Sequence, residues 1–148
     1  MQETARKSAN TIIYHQRVLT MTDCGICLSG GEIDCYWEFQ YHKIVKARKE
    51  HKCCECGRTI SVGSKYEYFS GKIEGGMEYY HTCIDCANIR SGLACDDGSA
   101  WPAFGNLWSD ITEVFDNLKS TACLTKIPTT SAKSYFLERW RKWKGLPA

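Results

Sequence analysis

The 148-residue chain has no long apolar run. No segment approaches the ~18 consecutive apolar residues of a membrane helix. Near the N-terminus the longest uncharged apolar stretch is Ile12–Ile13–Tyr14, too short for the apolar core of a secretion signal. A strong net charge is also missing. Nineteen bases face seventeen acids, a net +2, whereas a generic nucleic-acid binder draws its affinity from a large basic excess. Internal repeats and low-complexity tracts are absent. So are the residue patterns of the common zinc and thiol enzymes. None of His15, His42, His51 and His81 is followed two positions later by Glu, and Thr82 stands before Cys83 where a zinc deaminase needs proline. There is no H-E-x-x-H, no His/Asn set for an HNH-type nuclease, and no βαβ context for a thioredoxin-like pair. An enzyme is disfavoured.

What the chain does have is cysteine, ten in all, together with eighteen aromatic residues that can build a core. Such cysteine usage means either a secreted disulfide framework or a metal site kept reduced. With no signal segment read, the expectation is a cytoplasmic protein with reduced thiols. The clearest pattern is Cys53-x2-Cys56 followed by Cys83-x2-Cys86. Two close pairs a hairpin apart match a tetrahedral four-thiolate zinc site. A glycine directly after the second cysteine, Gly57, lets the first pair's turn take a positive φ. The second pair opens a short helix, whose N-terminal dipole favours the thiolate that binds metal. His81 is a rival to Cys83, ranked second. Cys54 is a spare thiol. Cys24-x2-Cys27 with Cys35 forms a candidate second metal site, with His42, Cys54 or Cys95 as a fourth ligand, although a buried turn with free thiols is the favoured reading there. Cys123 reads as a core thiol.

Around these pairs the periodicities give an α+β chain. Residues 35–47 read as extended. Lys65–Phe69 and Met77–His81 alternate as strands of a hairpin whose connection carries Gly71, Gly75 and Gly76. A short helix begins near Cys83 and stops near Gly92. Phe104, Leu107, Trp108, Ile111, Val114, Phe115 and Leu118 fall on one helical stripe. A last helix, capped by Ser131, runs to about Lys144 with Phe136, Trp140 and Trp143 on one face. The division is a loosely attached extension over 1–20, a cysteine-rich zinc-binding domain over 21–92, and a helical part packed on it over 93–148.

Knuckle, hairpin and a cysteine pair on a short helix resemble a treble-clef zinc finger, and Cys56-x3-Ile60-x2-Gly63 is similar to LIM-type and PARP-type fingers in particular. The resemblance implies a small zinc-stabilised treble clef followed by two C-terminal helices. More loosely, residues 43–90 resemble small uncharacterised zinc proteins of bacteriophages and prophages. That resemblance implies an accessory protein in a host cytoplasm, engaging a host protein complex, for example as an inhibitor of a defence system or a modulator of host machinery.

Two partner classes follow from the charge pattern. Residues 43–66 carry seven bases against two acids, residues 119–148 seven against one, and residues 67–118 nine acids against two bases. A protein partner would dock on the charge-segregated faces, with Trp101, Trp140 and Trp143 as anchors. The alternative, DNA or RNA, would use the basic segments 43–52 and 139–144, where Lys46, Arg48, Lys49 and Arg141 lie among aromatics. For Trp140 and Trp143, simple packing against the preceding helix has the better odds.

Overall fold

The computed structural model describes residues 39–93, 104–118 and 121–147. It has α+β architecture. The strands are β1 (Phe39–Lys46), β2 (His51–Lys52), β3 (Thr59–Ile60), β4 (Lys65–Ile73) and β5 (Gly76–Cys83), and the helices are α1 (Ile84–Leu93), α2 (Leu107–Val114) and α3 (Thr130–Lys144). Short 3-10 turns cover Phe115–Asn117 and Thr121–Lys126. The main sheet is antiparallel in the order β1-β4-β5, and β2 and β3 form a separate two-stranded ribbon. Among the described residues no helix is long and apolar enough to cross a membrane.

The expected hairpin is present but longer than the sequence pattern suggests. Gly71 lies inside β4, paired with Glu78, and the connection is only Glu74–Gly75. Both residues have positive φ, 49° and 80°, as a two-residue type I′ turn requires. The stripe that starts at Phe104 is also corrected. Phe104 precedes α2 and stacks flat on Tyr80, ring centroids 4.4 Å apart, and the α-helix gives way to 3-10 at Phe115. The N-cap of α3 is Thr129, whose hydroxyl accepts from the Ala132 N–H, and not Ser131. Gly145 ends that helix at φ 72°, as its position after the last periodic residue predicts.

One buried cluster joins the ribbon and the helices. It includes Cys53, Ile60, Tyr66, Ile89, Trp108 and Phe136. Helix α1 sits at its centre, against α3 and against the turn at 121–126. That approach is close at Gly92, where an added Cβ would lie 2.8 Å from the Ile127 backbone.

Candidate metal centre

The first half of the centre is a tight turn between β2 and β3. Register pairs His51 with Ile60 and Lys52 with Thr59. Inside that ribbon the Cys53 N–H donates to the Arg58 carbonyl at 2.9 Å, and the Gly57 N–H returns to the Cys53 carbonyl at 2.9 Å. Gly57 closes the turn at φ 72°, a conformation that a side chain disfavours. The Cys54 N–H then pins the turn to β5 through the His81 carbonyl at 2.8 Å. The second half is the junction of β5 and α1, with Cys83 ending the strand and Cys86 in the first turn of the helix.

These two halves bring the sulfurs of Cys53, Cys56, Cys83 and Cys86 within 4.8 Å of one another. Cys56 Sγ and Cys83 Sγ are 3.8 Å apart. Zinc–thiolate bonds of ~2.3 Å in a tetrahedron put sulfurs ~3.8 Å apart, so the donor set and its spacing fit such an ion. The sulfurs also accept hydrogen bonds. The Cys83 N–H points at Cys53 Sγ (3.3 Å), the Trp108 indole N–H at Cys86 Sγ (3.4 Å), and Arg58 reaches both Cys56 Sγ and Cys83 Sγ at 3.5 Å. Crowding distorts the thiols' acidity. Hydrogen bonds from Cys53, Cys83 and Cys86, with Arg58 adding, hold the Cys56 thiol far below its ordinary range. Its contacts with Cys53, Cys56 and Cys83 push Cys86 the other way, and burial adds to that shift. Four crowded thiols, two of them buried, that cannot ionise together are relieved by a cation, whose charge lets all four become thiolates.

A second layer ties the centre to every helix. Arg58 pairs with Asp85 at 3.0 Å and lies over the Tyr135 ring at 3.6 Å. Asp85 in turn accepts from the Ser131 hydroxyl at 2.8 Å, so α3 is joined to the knuckle through side chains. Glu55, between the ligands Cys53 and Cys56, is fully buried at its side chain. It pairs with Arg90 of α1 at 3.2 Å and accepts the Leu107 N–H at 3.0 Å. That second bond caps α2, whose N-cap Asn106 makes no side-chain cap. Arg90 also pairs with Glu67, which holds His42 at 3.0 Å.

Other candidates fall elsewhere. Cys54 bonds Thr82 Oγ1 at 3.4 Å, and burial pushes its thiol up to about 11. His81 is not in the sulfur cluster; its ring stacks on His51 at 4.2 Å. Burial first, then His51 and Lys49, lower its pKa. His42 is engaged by Glu67. Cys24, Cys27, Cys35, Cys95, Trp101 and the Cys123 side chain lie outside the described residues, as do residues 1–20. Trp140 packs against the core and Trp143 lies 5.3 Å from the Phe115 ring, while Arg141 is exposed. Lys46, Arg48 and Lys49 are exposed and line one groove.

No family model, curated protein or solved structure matches this chain. Its chemistry is therefore read from its own residues. The sequence reasoning missed Arg58, Trp108 and Glu55. Only Arg58 had a local signal, as a cation placed directly after the knuckle glycine. Trp108 and the Leu107 N–H meet Cys86 and Glu55 from 22 and 52 residues away, and no spacing rule reaches that far.

Proposed function

We propose that the chain is a non-enzymatic binding protein whose fold is held by one zinc ion on Cys53, Cys56, Cys83 and Cys86, in a treble-clef arrangement of ribbon, hairpin and helix. The observation that carries this reading is the convergence of four sulfurs with Arg58, Trp108 and a backbone N–H directed at them. Zinc prefers sulfur donors in tetrahedral sets, and protein donors to the sulfurs are its usual outer shell. A four-thiolate ion has no open position for water or substrate. Its chemistry here is charge neutralisation and crosslinking, and the binding surface lies elsewhere on the scaffold.

Elemental analysis of purified protein tests the reading. Cys56→Ser should lose one zinc per chain relative to wild type and lose the cooperative melt. Cys54→Ser should keep the wild-type metal content. Equal zinc in all three proteins would reject the site.

For the partner, a host protein complex is what the phage-protein resemblance implies. Of its expected anchors, Trp140 packs on the core, Trp143 touches the Phe115 ring but stays 40% exposed, and Trp101 lies outside the described residues. Nucleic acid is favoured instead by a specific surface, because Lys46, Arg48 and Lys49 line a groove shared with tyrosines.

A further inference from the structure

The face of the sheet that carries Tyr41 is graded along the strands. Directly paired residues share a face, so register gives three rows across β1, β4 and β5. They are Val45–Tyr66–Cys83, then Lys43–Tyr68–His81, then Tyr41–Ser70–Tyr79. The first row packs against the metal ribbon, with Tyr66 buried. In the last row Tyr41 and Tyr79 are 44% and 56% exposed on either side of a buried Ser70. Rings run continuously from one end to the other. Tyr41 meets Tyr68 edge-on at 6.2 Å, Tyr68 lies 5.6 Å from His81, and His81 stacks on His51.

Alongside these rings, and round the β1 edge to Ile44 and Lys46 of the opposite face, runs a groove of about 990 Å³. Among the described residues its lining includes Lys43, Lys46, Arg48 and Lys49 and no carboxylate. The acid nearest in register, Glu67, belongs to the opposite face, where it is buried with Arg90 and His42. A surface of exposed ring faces and unopposed cations suits a ligand that alternates π-faces with regularly spaced anions. Tyrosines serve protein interfaces as well, so a protein captured at this face is the outcome that counts against nucleic acid. A duplex would answer the lysines, yet its bases are already stacked and offer no faces to the rings.

We propose that this sheet face and its β1 edge bind single-stranded nucleic acid, with bases stacking on Tyr41 and Tyr79 and phosphates on Lys43, Arg48 and Lys49 and, round the edge, on Lys46. The inference rests on the zinc-held scaffold, since Cys83 and the β2–β3 ribbon fix the packed end of the face. Stacking of this kind tolerates any base, so the site selects single strands over duplexes more than one sequence over another.

The test uses the zinc-loaded full chain and fluorescently labelled 20-nucleotide mixed-sequence RNA, DNA and duplex DNA, read by anisotropy. Both single strands, or one of them, should bind more tightly than the duplex. Four phosphate contacts on a single strand predict affinity falling about 50-fold between 50 and 200 mM salt. Tyr41→Ala and Tyr79→Ala should each weaken binding roughly tenfold with the salt slope unchanged, whereas Tyr79→Phe should bind like wild type. Lys46→Ala combined with Lys49→Ala should flatten the slope. Zinc content and melting of each variant separate the two failures: a variant that has lost its metal reports on the scaffold, and the exposed tyrosine variants should keep it. No binding at 50 mM salt by metal-replete protein would overturn the proposal. So would equal binding of duplex, indifference to both tyrosine changes, or a photocrosslinker placed at position 79 that captures a protein and no nucleic acid in cells.

Discussion

Cys53 and Cys54 are adjacent, yet only Cys53 turns its sulfur toward Cys56, Cys83 and Cys86, while Cys54 lies against Thr82. The spacing to Cys56 made that choice readable in the sequence, because a Cys-x2-Cys turn is a local structure that needs nothing from the rest of the chain. Arg58 is a residue-scale device of a different kind, since it touches two ligand sulfurs, Asp85 and the Tyr135 ring at once. Replacing it by Ala should weaken zinc affinity roughly 10–100-fold without removing a ligand. A chelator competition against a chromogenic dye checks this: unchanged affinity would mean that the guanidinium only decorates the centre. In the sequence Arg58 shows only as a cation directly after the knuckle glycine; its contacts with Cys83, Asp85 and Tyr135 come from residues 25 or more positions away.

The elements are held by few, buried connections. Glu55 joins the knuckle to Arg90 of α1 and to the first N–H of α2. Removing one partner of a buried ion pair costs about 3–5 kcal/mol, so Glu55→Ala should lower unfolding free energy by about 3 kcal/mol in a denaturant titration and loosen α2. Gly92 works by size. A methyl there meets Ile127 backbone at 2.8 Å, and overpacking of this sort costs about 1–3 kcal/mol. Gly92→Ala should therefore lower the melting temperature even though Ala is the better helix former. A stabilising effect would contradict the close approach of α1 to the 121–127 segment. The extended β1, the strands β4 and β5 and the three helices were readable from residue pattern and the 3.6-residue stripe; the ribbon β2–β3 and the turn at 121–126 were not. The ends of the readable elements were not legible either. Phe104 belongs to the helical stripe by spacing, but stacking on Tyr80 and the cation of Arg90, 4.8 Å over its ring, hold it outside α2. Ser131 looked like a cap because it precedes the periodic residues, but Asp85 takes its hydroxyl and Thr129 caps instead.

Across the whole molecule the centre acts as the joint of the fold. The knuckle reaches α1 through Arg90, α2 through Glu55 and Trp108, and α3 through Arg58, Asp85 and Tyr135. The charge pattern along the sequence misled at this scale. Glu55 and Glu67 count toward the linear totals, but both are buried against Arg90 and contribute little to any outer face. Among the described residues beside β1, the exposed Lys43, Lys46, Arg48 and Lys49 outnumber the exposed Glu50, and that asymmetry appears only once the strands are paired. Because thiolates must form for the metal to bind, zinc affinity should fall as pH falls, and acid release of zinc should coincide with loss of helical signal in circular dichroism. Release without unfolding would separate the metal from the fold.

The most direct measurement is metal content alongside thermal melting for wild type and Cys56→Ser. The zinc-held scaffold predicts that the substitution removes one zinc per chain and abolishes the cooperative melt, and that a strong chelator does the same to wild type. A wild-type chain that is free of metal and still melts cooperatively would contradict it.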